Sequence, residues 1–257
     1  MKFLGKIGYT IGLPAVLLLG WWAYASIVPN FFVPPPGVVA TAFLDVWVSE
    51  RFLTDVLPSI ARLLVGLGIA ILLGSALGLT IGCVRWLRDV LEPVLEFIRA
   101  IPPTITIPVL LLLVGINDTM KITVIVLGSM WPVLLNTVEG VRAIDPVLSD
   151  TAQVYRIRGF ARLWHLTVPS ASPQIMAGVR QSLSLGLILM VISEMFAANE
   201  GLGFAIVQFQ RTFAIPEMWS GIVLLGLIGI ALSIVFQIVQ TRVLAWYFGL
   251  REVSNAV

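Results

Sequence analysis

Asp150 to Pro169 read DTAQVYRIRGFARLWHLTVP, with Arg156, Arg158, Arg162 and His165 set between apolar segments on both sides. A bilayer core takes ~20 consecutive apolar residues as a spanning helix and strongly disfavours charge at its centre. This stretch therefore lies outside the hydrocarbon, and its arginines predict the cytoplasmic side. Locally, Asp145-Pro146 is a turn signal, and Ser149 or Asp150 is placed to cap a short helix. Gly159 permits a left-handed exit, and Phe160 to Thr167 adds a second helical turn before Pro169. Two short helices meeting at an angle make a rigid peg for a groove on a soluble partner. The plainer alternative is an amphipathic hairpin lying in the interface.

Working outward, the flanking sequence reads as about six transmembrane helices with both termini cytoplasmic, an all-α membrane protein in one domain over residues 1–257. Lys2 and Lys6 precede an apolar run from Ile11 to Val28, read as a first helix rather than a signal peptide, with Trp21, Trp22 and Tyr24 as an aromatic belt. Pro34 to Pro36 bar a helix, and the stretch from Val38 to Phe52 predicts an amphipathic surface helix. The second span runs from about Ser59 to Val84. Its Gly66, Ala70, Gly74, Gly78 and Gly82 recur every four residues, a small-residue face for close helix packing within the chain or against a second copy.

The third span, about Val90 to Gly115, carries Glu92, Glu96 and Arg99, then Pro102, Pro103 and Pro108. Glu96 and Arg99 are i,i+3 neighbours that pair at the interface or line a cavity. Lys121 starts a fourth span that Trp131, Pro132 and Asn136 are expected to interrupt, with Asn136 facing a neighbouring helix or a translocation pathway. The fifth runs from about Met176 to Phe196. Glu194, near its end, is either a hydrogen-bonding group under a lid or an outer-interface residue. Gly201-Leu202-Gly203 suits a tight re-entry, and the sixth span runs from about Met218 to Trp246.

Composition agrees. Of 257 residues 58% are hydrophobic and 12% charged, with a mean hydropathy of +0.99, far more apolar than a soluble domain. A net charge of +2, spread beside apolar segments, gives no nucleic-acid patch, and most basic residues read as anchors to membrane lipid. The single Cys83 excludes an internal disulfide. There is no G-x-x-x-x-G-K-[ST] loop, no H-E-x-x-H and one histidine, so an ATPase, metal-centre or triad reading finds no residues to stand on. A scaffold subunit that anchors cytoplasmic proteins without moving solute is the rival class.

The loop also resembles the E-A-A-x3-G-x9-I-x-L-P pattern of permease subunits in binding-protein-dependent ABC importers. Asp150, Thr151 and Ala152 stand at the E-A-A positions, and Leu166, Val168 and Pro169 at the I, L and P positions. Arg156 occupies the glycine position, with Gly159 three residues on. RAIPPTITIP, WPVLLNTVEGVRAIDP and SEMFAANEGLGFAI are similar to the nitrate, sulfonate and taurine branch. The resemblance implies a type I importer permease in a prokaryotic plasma (inner) membrane, with a coupling loop over about residues 142–175. Two cytoplasmic ATPase subunits, a second permease and an extracytoplasmic binding protein are the implied partners. ATP and Mg then belong to the ATPase, and this chain carries no cofactor. By the same resemblance Asp150, Thr151, Ala152, Tyr155, Arg156, Gly159 and Pro169 would form the coupling surface. Glu96, Arg99, Asn136, Ser193 and Glu194 are the candidates for the pathway. An arginine at the glycine position means either that the sharp turn has moved to Gly159, which suits a homodimer of permeases, or that this peg has a different shape from the family's, which suits a heterodimer.

Overall fold

The computed structural model describes residues 2–254, and among them all regular structure is helical. The chain is organised as two compact units, one holding the N-terminal segment to Pro58 with Asn199–Leu227, the other Ser59–Ala198 with the chain from Ile228 onward.

In the first unit, α1 (Lys2–Ile27) is followed by α2 (Pro36–Trp47), which starts on the last of the three prolines. Proline at the first helical position has no hydrogen bond to lose and its φ suits the helix. Trp47 is buried; its indole N–H donates to Ser220 Oγ over 2.9 Å and its ring meets Phe209 edge-on at 6.2 Å. The amphipathic stretch thus packs within its own unit. Asp55 lies 3.5 Å from Arg51 and accepts 2.9 Å from the Gly201 N–H, so a carboxylate pins the Gly201 turn, where φ is +117°. That turn opens a separate helix, α10 (Leu202–Arg211), where the sequence predicted only a tight re-entry.

The second unit is built on α3 (Leu57–Cys83), α6 (Asp118–Arg142) and α9 (Val168–Ala197). Their register follows from the small residues. A Cβ on Gly66 would meet Ile125, one on Gly74 Val133, one on Gly78 Thr137 and one on Gly82 Val141, so α3 and α6 run parallel at a constant offset. The every-fourth-residue stripe therefore packs inside the chain, as its first reading held. Gly140 abuts Ala171 and Gln174, Gly178 abuts Pro132 and Asn136, and Gly186 approaches Ser129, so α9 runs antiparallel to α6. Backbones this close are what small residues permit where lipid supplies no hydrophobic drive between helices. Ser182 Oγ adds a hydrogen bond to the Ser129 carbonyl.

One consequence is a separation of charge by end. The C-termini of α3 and α6 and the start of α9 lie together, with Arg85, Arg88, Arg142 and the loop arginines. Ser59, Arg62, Asp118, Lys121 and Glu194 gather at the other end.

The expected third span is broken. α4 (Arg85–Arg99) and the segment Pro103–Val114, which includes α5 (Thr106–Val114), are bent by 71°. Pro102 forces the residue before it out of the helical region and removes a donor, so the ladder ends at Ala100. α4 sets Leu87, Leu91 and Leu95 on a core of Ile81, Leu134 and Val138. The expected interruption of α6 at Trp131-Pro132 does not occur. Pro132 is inside a continuous helix, because α3 and α9 enclose the weakened turn with protein rather than lipid.

The last span begins earlier than read, as α11 (Ile215–Val243), and α12 (Ala245–Ser254) follows it. Four helices of the described residues are long and apolar enough to cross a bilayer, and the bent pair makes a fifth if it is one span. The remaining expected span falls on α1, whose apolar described part, Gly12–Ile27, is shorter.

Candidate functional site

Two constellations stand at opposite ends of the second unit. The first is an ion cluster. Arg62, the only charged side chain between Leu57 and Val84, is 3% exposed. Its Nε donates to Asp118 Oδ1 over 2.8 Å and its Nη1 to Glu194 Oε1 over 3.0 Å. Ser59 Oγ stands 2.8 Å from both Glu194 oxygens, and Lys121 Nζ lies 3.3 Å from Asp118 Oδ1. Asp118 is open to solvent, so the cluster runs from a fully buried carboxylate to the surface across three helices.

Glu194 is therefore a buried, hydrogen-bonded residue. Ser193 beside it is also fully buried and donates to the Met190 carbonyl over 2.9 Å. Arg62 is the residue that sequence reasoning passed over. A lone arginine in an apolar run was the available signal, because such a charge must find a partner.

The other pathway candidates do not join this cluster. Asn136 is half-buried, spends its Nδ2 on the Pro132 carbonyl over 2.8 Å and sets its Cβ against Gly178. Glu96 and Arg99 pair with each other on the exposed side of α4. With Arg88, Glu92, Glu139 and Arg142 they edge a small groove of about 200 Å³.

The second constellation is the loop. α7 (Pro146–Val154) starts on Pro146 and is capped by Asp145, whose carboxylate accepts from the Val147 N–H over 2.8 Å. Ser149 and Asp150, the expected caps, lie inside the helix. α8 (Gly159–Arg162) follows, and a π-helical turn over Leu163–Thr167 leads into α9, where Pro169 sits in the first turn. Arg162 Nη2 donates to Ser149 Oγ over 2.7 Å and so ties the two arms. The peg is a fixed angle.

Helix α7 ends in a Schellman arrangement: the Ile157 N–H reaches the Ala152 carbonyl at 2.8 Å, and Arg156 takes φ +54°. The turn has not moved to Gly159. Arg156 adopts the left-handed conformation that a glycine would take there, and Gly159, at φ +56°, adds a second such residue. The paired carbonyls of α7 fix this geometry, so the arginine bears the strain instead of redirecting the chain.

An L-residue in this region costs ~1–2 kcal/mol, offset in part by the entropy glycine loses on folding. Arg156→Gly should therefore stabilise the loop by about 0.5–1 kcal/mol. Hydrogen exchange at residues 155–158 would register it as slower opening, and faster opening would contradict the account.

Of the expected coupling residues, Ala152 is buried within the chain, at 5% exposed. Asp150, Tyr155 and Arg156 are exposed; Thr151 is exposed too, with its hydroxyl bonded to the Val147 carbonyl at 2.7 Å. Val147, Val154, Tyr155, Phe160 and Trp164 give the peg an apolar exterior, with the Phe160 and Trp164 rings stacked 6.4 Å apart.

An all-α membrane protein with small-residue helix packing and a structured basic loop is the class that fold and site define. Residues 66–247 match the family described as the binding-protein-dependent transport system inner membrane component, and the chain belongs to that family. It is 29% identical to the taurine transport system permease protein TauC of Escherichia coli K12, over 94% of this chain and 90% of that one. It is 30% identical to the putative aliphatic sulfonates transport permease protein SsuC of the same organism, over 91% and 90%. The nitrate import permease protein NrtB of Synechocystis sp. is 26% identical over 85% and 82%. The resemblance carried by the loop and its neighbouring segments is thus borne out, and the chain is an integral membrane permease of the ABC transporter class.

Proposed function

We propose that this chain is the permease subunit of an importer for a small anionic solute of the sulfonate or nitrate class. The observation that carries the reading is the end-to-end similarity to permeases named for taurine, aliphatic sulfonates and nitrate. The excess of arginine at the loop end, against an opposite end where Arg62 and Lys121 are paired with Asp118 and Glu194, supports a cytoplasmic loop in a prokaryotic inner membrane, with both chain termini on the same side. The peg then couples the spans to two ATPase subunits, which hold the ATP and Mg. Its tied arms transmit a displacement of α7 directly to α9, because only one π-helical turn separates α8 from that span. A second permease completes the pathway, and an extracytoplasmic binding protein delivers the solute. Glu96, Arg99, Asn136, Ser193 and Glu194 remain the residues we assign to the neighbourhood of that pathway, Ser193 and Glu194 by holding its walls.

Proteoliposomes carrying the chain with its ATPase and binding protein decide the matter. ATP-dependent accumulation of labelled taurine, an alkanesulfonate or nitrate is expected, and omission of this chain should abolish it. A complex that assembles and hydrolyses ATP yet accumulates none of these anions would refute the solute class. A complex in which ATP hydrolysis responds to no solute would point to the scaffold reading.

A further inference from the structure

Beneath the peg lies a cleft of about 560 Å³, bounded by the ends of α3 and α6, by α7 and α8, and by the turn that enters α9. Its polar lining is Arg162, Ser149, Thr167 and Cys83, with Gly82 and Gly159 exposing backbone. No carboxylate lines it. Arg162 is half-buried and forms no ion pair among the described residues; its bond to Ser149 Oγ takes one of five N–H donors. Ser149 accepts that bond and keeps its own proton to donate. Thr167 is 5% exposed and lines the same cleft. A half-buried guanidinium without an ion pair, in a cleft whose polar side chains can all donate and that no carboxylate lines, is a site suited to an acceptor-rich anion.

The geometry points to a binding site for a small oxyanion in this cleft, distinct from any transport pathway and independent of which solute the permease carries. Arg162 supplies the charge and a planar fork, and Ser149 and Thr167 supply neutral donors from two further elements. An anion held there bridges α7, α8 and the root of α9. Its occupancy stiffens the angle that Arg162 and Ser149 already set.

Cys83 is the single cysteine of the chain, lines the same cleft and is exposed, so it reports occupancy directly. The full chain in nanodiscs of zwitterionic lipid is labelled with a maleimide, with inorganic sulfate as the probe and chloride of equal ionic strength as control. Labelling should slow about tenfold at a sulfate concentration about ten times its dissociation constant, since only the unoccupied fraction reacts. Arg162→Gln should remove the protection. Thr167→Val, which leaves the Arg162–Ser149 tie intact, should weaken it severalfold. Protection in anionic nanodiscs without sulfate assigns the oxyanion to a lipid headgroup, and protection by sulfate in zwitterionic lipid assigns it to a soluble ion. Equal slowing by chloride, no slowing in either lipid, or full protection in both variants would overturn the site.

Discussion

Arg62→Met should cost about 3–5 kcal/mol of stability, because it strands the fully buried Glu194 carboxylate without the cation that faces it at 3.0 Å. Asp118 loses its 2.8 Å partner as well, but it is open to water and keeps Lys121. The loss should therefore come almost wholly from Glu194. Adding Glu194→Gln to Arg62→Met removes the uncompensated charge and should restore most of the stability, as a cycle on a coupled pair requires. Glu194→Gln alone should cost less than Arg62→Met, since Ser59 can still serve an amide. Thermal unfolding of the purified chain in detergent reads all three. Additive losses in the double variant would show that the two groups do not sense one another.

The second large effect is expected at Gly78. A Cβ there would lie 2.6 Å from Thr137 Cβ and 2.7 Å from the Leu134 carbonyl oxygen, and neither belongs to the end of a flexible chain. Gly78→Val must push α3 off α6. We expect a cost at or above the ~3 kcal/mol that overpacking usually reaches. Gly68, on the same helix, has nothing within 4 Å of its would-be Cβ, so Gly68→Val should be tolerated. The contrast separates the packing argument from any general dislike of valine in this span. Equal recovery of folded, monodisperse protein from both variants would defeat it.

These two sites show what a sequence discloses and what it withholds. The small-residue stripe was legible because period four on a helix is a local pattern, and one helix face has few uses in lipid other than close packing. Its partner was not legible, since nothing local says that Gly66 meets Ile125. The loop announced itself by four basic side chains between apolar runs.

The state of Arg156 could not be read, because the carbonyls of α7 decide it, and substituting an arginine for glycine is only a cost the fold can absorb. Ser149 and Asp150 looked like caps, yet Asp145 before Pro146 is the stronger start signal and prevailed. Arg62 and Glu194 are separated by 132 residues, so their pairing was invisible even though each alone was anomalous. The bend after α4 was signalled by Pro102 and Pro103, but its size was not: 71° depends on where α4 lands on Ile81, Leu134 and Val138.

The proposed function places the peg between ATP hydrolysis and the spans. Tyr155 is the group to remove: it is exposed, apolar-faced and, among the described residues, hydrogen-bonded through its backbone alone at the end of α7. The decisive measurement is solute-stimulated ATPase activity of the complete complex in nanodiscs, wild type against Tyr155→Asp. Burying an unpaired carboxylate in an apolar docking surface costs several kcal/mol. Stimulation should therefore fall by about 100-fold or more, the ATPase should no longer co-purify, and unfolding of the permease should be unchanged. Stimulation at the wild-type level with Tyr155→Asp would contradict coupling through this peg.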